Sequence, residues 1–115
     1  MFLTQDVDDD AYESYDADGV KGVLRRRLIN PDNSSQRFAM RTYIMLPGGH
    51  TSYDIHPHEH GVYIMRGEVT VTVGEKELTL SSGDVIHIAG NEPHQFRNLS
   101  SEPVKFLCVR DFTSS

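Results

Sequence analysis

The sequence predicts an all-β fold closed into a barrel or a double-sheet jelly roll. Three observations carry this. Runs rich in β-branched and aromatic residues recur from Val20 to Val109. Turn signals separate them about every 8–12 residues. No stretch has the i, i+3, i+4, i+7 apolar spacing of a long helix. An antiparallel chain of 115 residues holds one domain with one core, and it must protect its sheet edges by closure or by pairing across a dimer.

Taken in order, residues 1–19 come first as an acidic segment. Asp6, Asp8, Asp9, Asp10, Glu13, Asp16 and Asp18 stand there without one base, and they account for the net charge of −6, leaving the remainder at +1. A solvated, flexible tail is the expectation, followed by a folded domain over 20–115. Strands are expected over Val20–Ile29, Arg37–Leu46, Val62–Val73, Lys76–Leu80, Val85–Ile88 and Val104–Val109. Pro47-Gly48-Gly49, Gly67-Glu68, Gly74-Glu75, Ser81-Ser82-Gly83-Asp84 and Gly90-Asn91 are the turns between them. Val69-Thr70-Val71-Thr72-Val73 alternates cleanly, as a half-buried antiparallel strand does.

Several classes fall away. A nearly neutral body with no basic face beyond Arg25, Arg26 and Arg27 argues against nucleic acid. The lone Cys108 allows no internal disulfide and no Cys-based zinc site. Met1 to Asp10 lacks the basic and apolar regions of a signal peptide, and no run approaches the ~20 apolar residues of a membrane span. The cytoplasm is the expected compartment.

Four of the six histidines, His50, His56, His58 and His60, crowd into eleven residues. Alternate residues of an extended strand share a face, so Asp54, His56 and His60 can point together, although Pro57 disturbs the parity. Imidazole and carboxylate suit Mn, Fe, Ni, Cu and Zn. Spacing alone weighs this evenly against a solvated surface loop. A second segment, Gly83 to Asn98, sets His94 between a glycine turn and Phe96.

Together the two segments resemble the two motifs of the cupin superfamily, small metal-binding β-barrels. The motif G-x5-H-x-H-x3-4-E-x6-G falls on Gly48, Asp54, His56, His60 and Gly67, and G-x5-P-x-G-x2-H-x3-N falls on Gly83, Ala89, Asn91, His94 and Asn98. The resemblance spans roughly residues 20 to 110. It implies a double-stranded β-helix (jelly-roll) barrel with one divalent metal ion per chain, Mn or Fe expected and Zn, Ni or Cu able to replace it on isolation. Two departures stand out: Asp54 replaces the family's first histidine, and His60 its glutamate. His60 fits the third-ligand slot of small single-domain cupins with an H-x-H-x3-H site. The implied metal set is His56, His60, His94 and Asp54, with Asp54 binding directly, through water, or only orienting a histidine.

His58 and Glu59 are expected in the loop over the site. Phe96, Phe106, Cys108 and His58 are expected to line the pocket, with core packing an equal explanation for the first three. His50 is expected to be exposed and Arg41 to point outward. An open metal position suits an oxygenase-type reaction on a small organic molecule; the alternatives are a sugar-acid isomerase or lyase and a non-catalytic binding module. The resemblance also implies a homodimer, with Val20–Ile29 as the candidate pairing segment.

Overall fold

The computed structural model describes residues 1–112. After a single 3-10 turn at Asp9–Ala11, nine strands follow: β1 (Glu13–Ser14), β2 (Lys21–Ile29), β3 (Phe38–His50), β4 (His60–Arg66), β5 (Glu68–Val73), β6 (Lys76–Ser81), β7 (Val85–Ile88), β8 (His94–Arg97) and β9 (Val104–Asp111). They run in the order β6-β5-β8-β3-β9-β4-β7, with β2 beside β3 and β1 beside β2. Every named pairing is antiparallel. The sheet curls so that its two end strands, β6 and β7, follow one another in the chain through the turn at 82–84, which is held to β4 by Ile64 N–H donating to Asp84 O and Gly83 N–H to Ile64 O. This is the jelly-roll barrel expected of the sequence, and closure spares it two long open edges.

Local chemistry explains the elements. The two-residue Gly74-Glu75 turn joins Val73 to Lys76, which pair directly, and Gly74 takes the left-handed φ of +59° that such a hairpin needs. Asn91, in a family glycine position, has φ +63°, a conformation asparagine accepts. The inward faces of the strands meet in a core where Met45, Ile64, Val71, Ile88 and Val104 are fully buried.

Two features of the sheet depart from the sequence reading. Pro47-Gly48-Gly49 is not a turn, because β3 runs through it to His50. Gly48 N–H donates to Asn98 O and Asn98 N–H to Gly49 O, which holds this stretch in the sheet. A Cβ on Gly49 would stand 2.8 Å from the carbonyl oxygens of Gly22 and Leu46, so glycine here serves close backbone approach. The strand β8 was also not foreseen.

Residues 6–15 of the acidic segment, expected as a flexible tail, lie against the barrel. Lys105 Nζ, on a residue only 8% exposed, sits 3.2 Å from Asp6 Oδ2 and 3.1 Å from Asp9 Oδ1. Arg66 Nη2 lies 3.0 Å from Asp9, and Arg26 Nη1 3.7 Å from Asp6. The Tyr12 hydroxyl meets Asp6 and Thr42, and Tyr15 packs on the core.

Candidate metal centre

The stretch 52–60 alternates in burial: Ser52, Asp54, His56, His58 and His60 turn inward, while Tyr53, Ile55, Pro57 and Glu59 face solvent. Asp54 is tied to His94 by a two-way backbone bridge, each N–H donating to the other's carbonyl at 2.9 Å. That bridge lays the histidine stretch across the mouth of the barrel beside β8. His60 opens β4, and the register places it opposite Arg110 on β9 and Ile88 on β7.

The result is a cluster of His56, His60 and His94, whose ligating nitrogens all lie within 4.8 Å of one another. The Nε2 atoms of His56 and His60 are 3.3 Å apart, close to the spacing of two neighbouring ligands bound at about 2.1 Å to one cation. His94 donates Nδ1–H to Glu92 O at 2.9 Å, which leaves its Nε2 lone pair for a metal. His60 Nδ1 lies 3.2 Å from Cys108 Sγ, so its Nε2 likewise faces the cluster. His56 Nδ1 is buried without a hydrogen-bond partner among the described residues. Burial, reinforced by His58 and His56, lowers the His60 pKa to about 3. Burial also lowers His58 to about 4, helped by Arg110 and then His56, and it lowers His56 with help from His94. Imidazoles held neutral are the form a metal requires. The donor set therefore fits a divalent cation.

The cluster opens into a cavity of about 190 Å³. His58 lines it, stacked on His56 with ring centroids 3.7 Å apart. Asp54 lines it too, but its carboxylate stands outside the three-nitrogen group and accepts from Ser52 Oγ at 2.6 Å. Phe96, Phe106 and Cys108 form the floor, with the two phenyl rings stacked at 5.2 Å. His50 is partly buried, its Nδ1 3.1 Å from Thr51 O. His87 points out of the barrel and meets Glu59 at 2.7 Å.

The sequence reading missed three contributors. Arg41, expected to face outward, faces inward and donates from Nη2 to Cys108 Sγ at 3.3 Å. Arg110 and Tyr15 also line the cavity. Arg41 has the parity of Tyr43 and Met45, but this strand is apolar on both faces, so its direction was unmarked in the sequence. The Tyr15 position had no such signal, because it depends on how the N-terminal segment docks.

Comparison with known proteins agrees with this architecture. The family model Cupin_2 (Cupin domain) matches residues 41–110. The 1-methylthio-D-xylulose 5-phosphate methylsulfurylase of Rhodospirillum rubrum is 31% identical over 99 residues, covering 86% of this chain and 62% of that protein. The chain thus spans less than two thirds of that relative's length. Among solved structures, a cupin-2 domain from Rhodospirillum rubrum superposes with a TM-score of 0.81 at 26% identity, covering 99% of this chain and 78% of that one. A cupin 2 conserved barrel domain protein from Rhodopseudomonas palustris gives 0.76 at 28% identity, covering 90% and 71%. With the matched region holding all three clustered histidines, the chain belongs to the Cupin_2 family.

Proposed function

We propose that the chain is a metal-dependent enzyme in which His56, His60 and His94 hold one divalent cation, Mn or Fe, and present it to a small organic molecule. The observation that carries this reading is the convergence of three imidazoles at a cavity large enough for a few non-hydrogen atoms. When bound, such a cation supplies Lewis-acid polarisation of a carbonyl or hydroxyl oxygen and, for Mn or Fe, a seat for dioxygen. The chain's own residues orient and exclude. Glu92 O and Cys108 Sγ fix the rings of His94 and His60, and the Phe96 and Phe106 rings keep water from the cavity floor. Asp54 acts chiefly by positioning, since its backbone holds His94 and its carboxylate is engaged by Ser52.

Isomerase- or lyase-type chemistry and oxygenase-type chemistry would use the same cation. The methylsulfurylase relative, named for a sugar-phosphate substrate, supports the former. Elemental analysis of untagged protein, produced separately with Mn, Fe and Zn, is the first test. About one metal per chain, lost in His94→Ala while the fold persists, is expected; no metal under any condition overturns the reading. Oxygen-electrode measurements against a panel of small phenols and enols then separate the two chemistries, because only the oxygenase consumes dioxygen. We also propose a homodimer, with β2, which has only the two-residue β1 on its outer side, as the pairing strand; a monomer mass in sedimentation overturns this.

A further inference from the structure

The cavity wall beside the histidines is positively charged, and the strand register makes it so. Ala39, Arg110 and His60 lie in one row across β3, β9 and β4, and Arg41, Cys108 and Val62 lie in the next. Arg41 and Arg110 are therefore diagonal neighbours on the wall that also carries His60, and both line the cavity. A guanidinium offers five N–H donors. Arg41 gives one to Cys108 Sγ, and its Nε is buried with no partner among the described residues. Arg110 Nε donates to Asp111 O, and its guanidinium lies 4.6 Å from the Phe112 ring centre.

Charge balance within the cavity is uneven. Asp54 is the one carboxylate among the lining residues, and it stands against two permanent cations. The lining thus carries one net positive unit with neutral imidazoles, and a divalent ion raises that to three. Buried guanidinium donors without acceptors are costly, and carboxylate or phosphate oxygens match their fork in two-point fashion.

We propose that Arg41 and Arg110 form an oxyanion-binding subsite beside the metal cluster, so that the molecule processed here is a small organic anion. Its carboxylate or phosphate group docks on the arginines and its reacting oxygen reaches the histidine side. This deepens the metal-enzyme reading and rests on it for the cation, but not for the anion. The guanidinium pair also selects against uncharged aromatics and alkenes, because no neutral group repays desolvating two cations.

The test is an NMR titration of the full chain, zinc-loaded and chelator-treated, with inorganic phosphate and malonate, and with malonamide as the uncharged counterpart. Binding of at least one anion is expected in both forms, tighter than malonamide by tenfold or more. The better of the two anions identifies the headgroup. Arg41→Met and Arg110→Met are each expected to weaken that anion at least fivefold with zinc stoichiometry unchanged. If Arg41→Met does not fold by circular dichroism, Arg41→Lys, which keeps the charge but loses the fork, carries that arm with the same threshold. Malonamide binding equal to malonate, no anion binding at all, or a loss below fivefold in either position overturns the subsite. Arginine-dependent anion binding without any zinc uptake would uphold the subsite while removing the metal reading; zinc uptake without arginine dependence would do the reverse.

Discussion

Replacing Asn98 with alanine removes a side chain that is completely buried and uses its full hydrogen-bonding capacity. Nδ2 donates to Met45 O at 2.9 Å and to Glu102 O at 2.8 Å. Oδ1 accepts from Ser100 N–H at 3.0 Å and from Ser100 Oγ at 2.7 Å. The amide thus clamps the middle of β3 to the turn that leads into β9. The bond to Met45 O is fully buried and that to Glu102 O partly so; the two are worth about 1 kcal/mol each, while the Ser100 hydroxyl, which also bonds Glu102 O at the exposed side, can be partly replaced by solvent. With the small void left behind, the loss is about 3 kcal/mol. An unfolding entropy of about 2.1 cal/mol/K per residue converts this to a fall in Tm of about 12 °C for a chain of this length. Thermal and urea unfolding of chelator-treated protein, followed by circular dichroism, measures it. Ser100→Ala, which removes only the partly solvated hydroxyl, serves as the comparison and should cost about 1 kcal/mol or less. A fall below about 4 °C for Asn98→Ala, or equal effects of the two variants, would refute the argument that the buried donor pair dominates.

Other outcomes follow from the same structure. Gly67→Ala should lose about 2 kcal/mol or more, because Gly67 has φ +86° and a Cβ would stand 2.6 Å from Pro103 O. Gly74→Ala, with a positive φ but open space, should lose only about 1 kcal/mol; parallel melts distinguish them. Hydrogen bonds from Arg66 and Lys105 hold the Asp9 carboxyl below its usual range. Its contribution to docking residues 6–15 is therefore full above the ordinary carboxylate pKa and lost as pH falls through the depressed one. Amide exchange at Ala11 and Tyr12 should accelerate in that acid window, and Asp9→Asn should show the faster exchange already at neutral pH. Added Zn should raise Tm with the logarithm of its free concentration above Kd, by about 2.7 kcal/mol of stability at a hundredfold excess. Chelation should reverse the gain, and His94→Ala should not show it.

Much of the barrel was legible in the sequence because hairpin chemistry is local. Gly74-Glu75 marks the turn between β5 and β6, and Val85–Ile88 matches β7 residue for residue. The motif positions had physical reasons that only the structure displays, as Gly67 and Asn98 illustrate. What escaped was set by packing from elsewhere. Thr42 to Met45 are buried on both faces, since β3 lies between the barrel interior and the docked acidic segment, so no alternation was visible there. The same crowding hid the inward turn of Arg41. β8 has only four residues, His94 and Phe96 alternating with Gln95 and Arg97, too short for a period to declare itself. Arg110 and Tyr15 became cavity residues through pairings made at opposite ends of the chain.

The strand order has a kinetic consequence. In the sheet, the path from β8, which begins with His94, to β4, which begins with His60, runs through β3 and β9, segments from the early and final parts of the chain. The complete cluster is thus a product of non-local pairings that are slow to form and come late. A cation held at this cluster would therefore not be the seed around which the chain folds; it would arrive at a finished barrel and work as a latch. Its effect should fall on the unfolding limb of a chevron, slowing escape from the native state while leaving the refolding rate where it was. A barrel built this way could be emptied and reloaded without being remade, so the metal proposed for it would be chosen after folding, by what the surroundings supply.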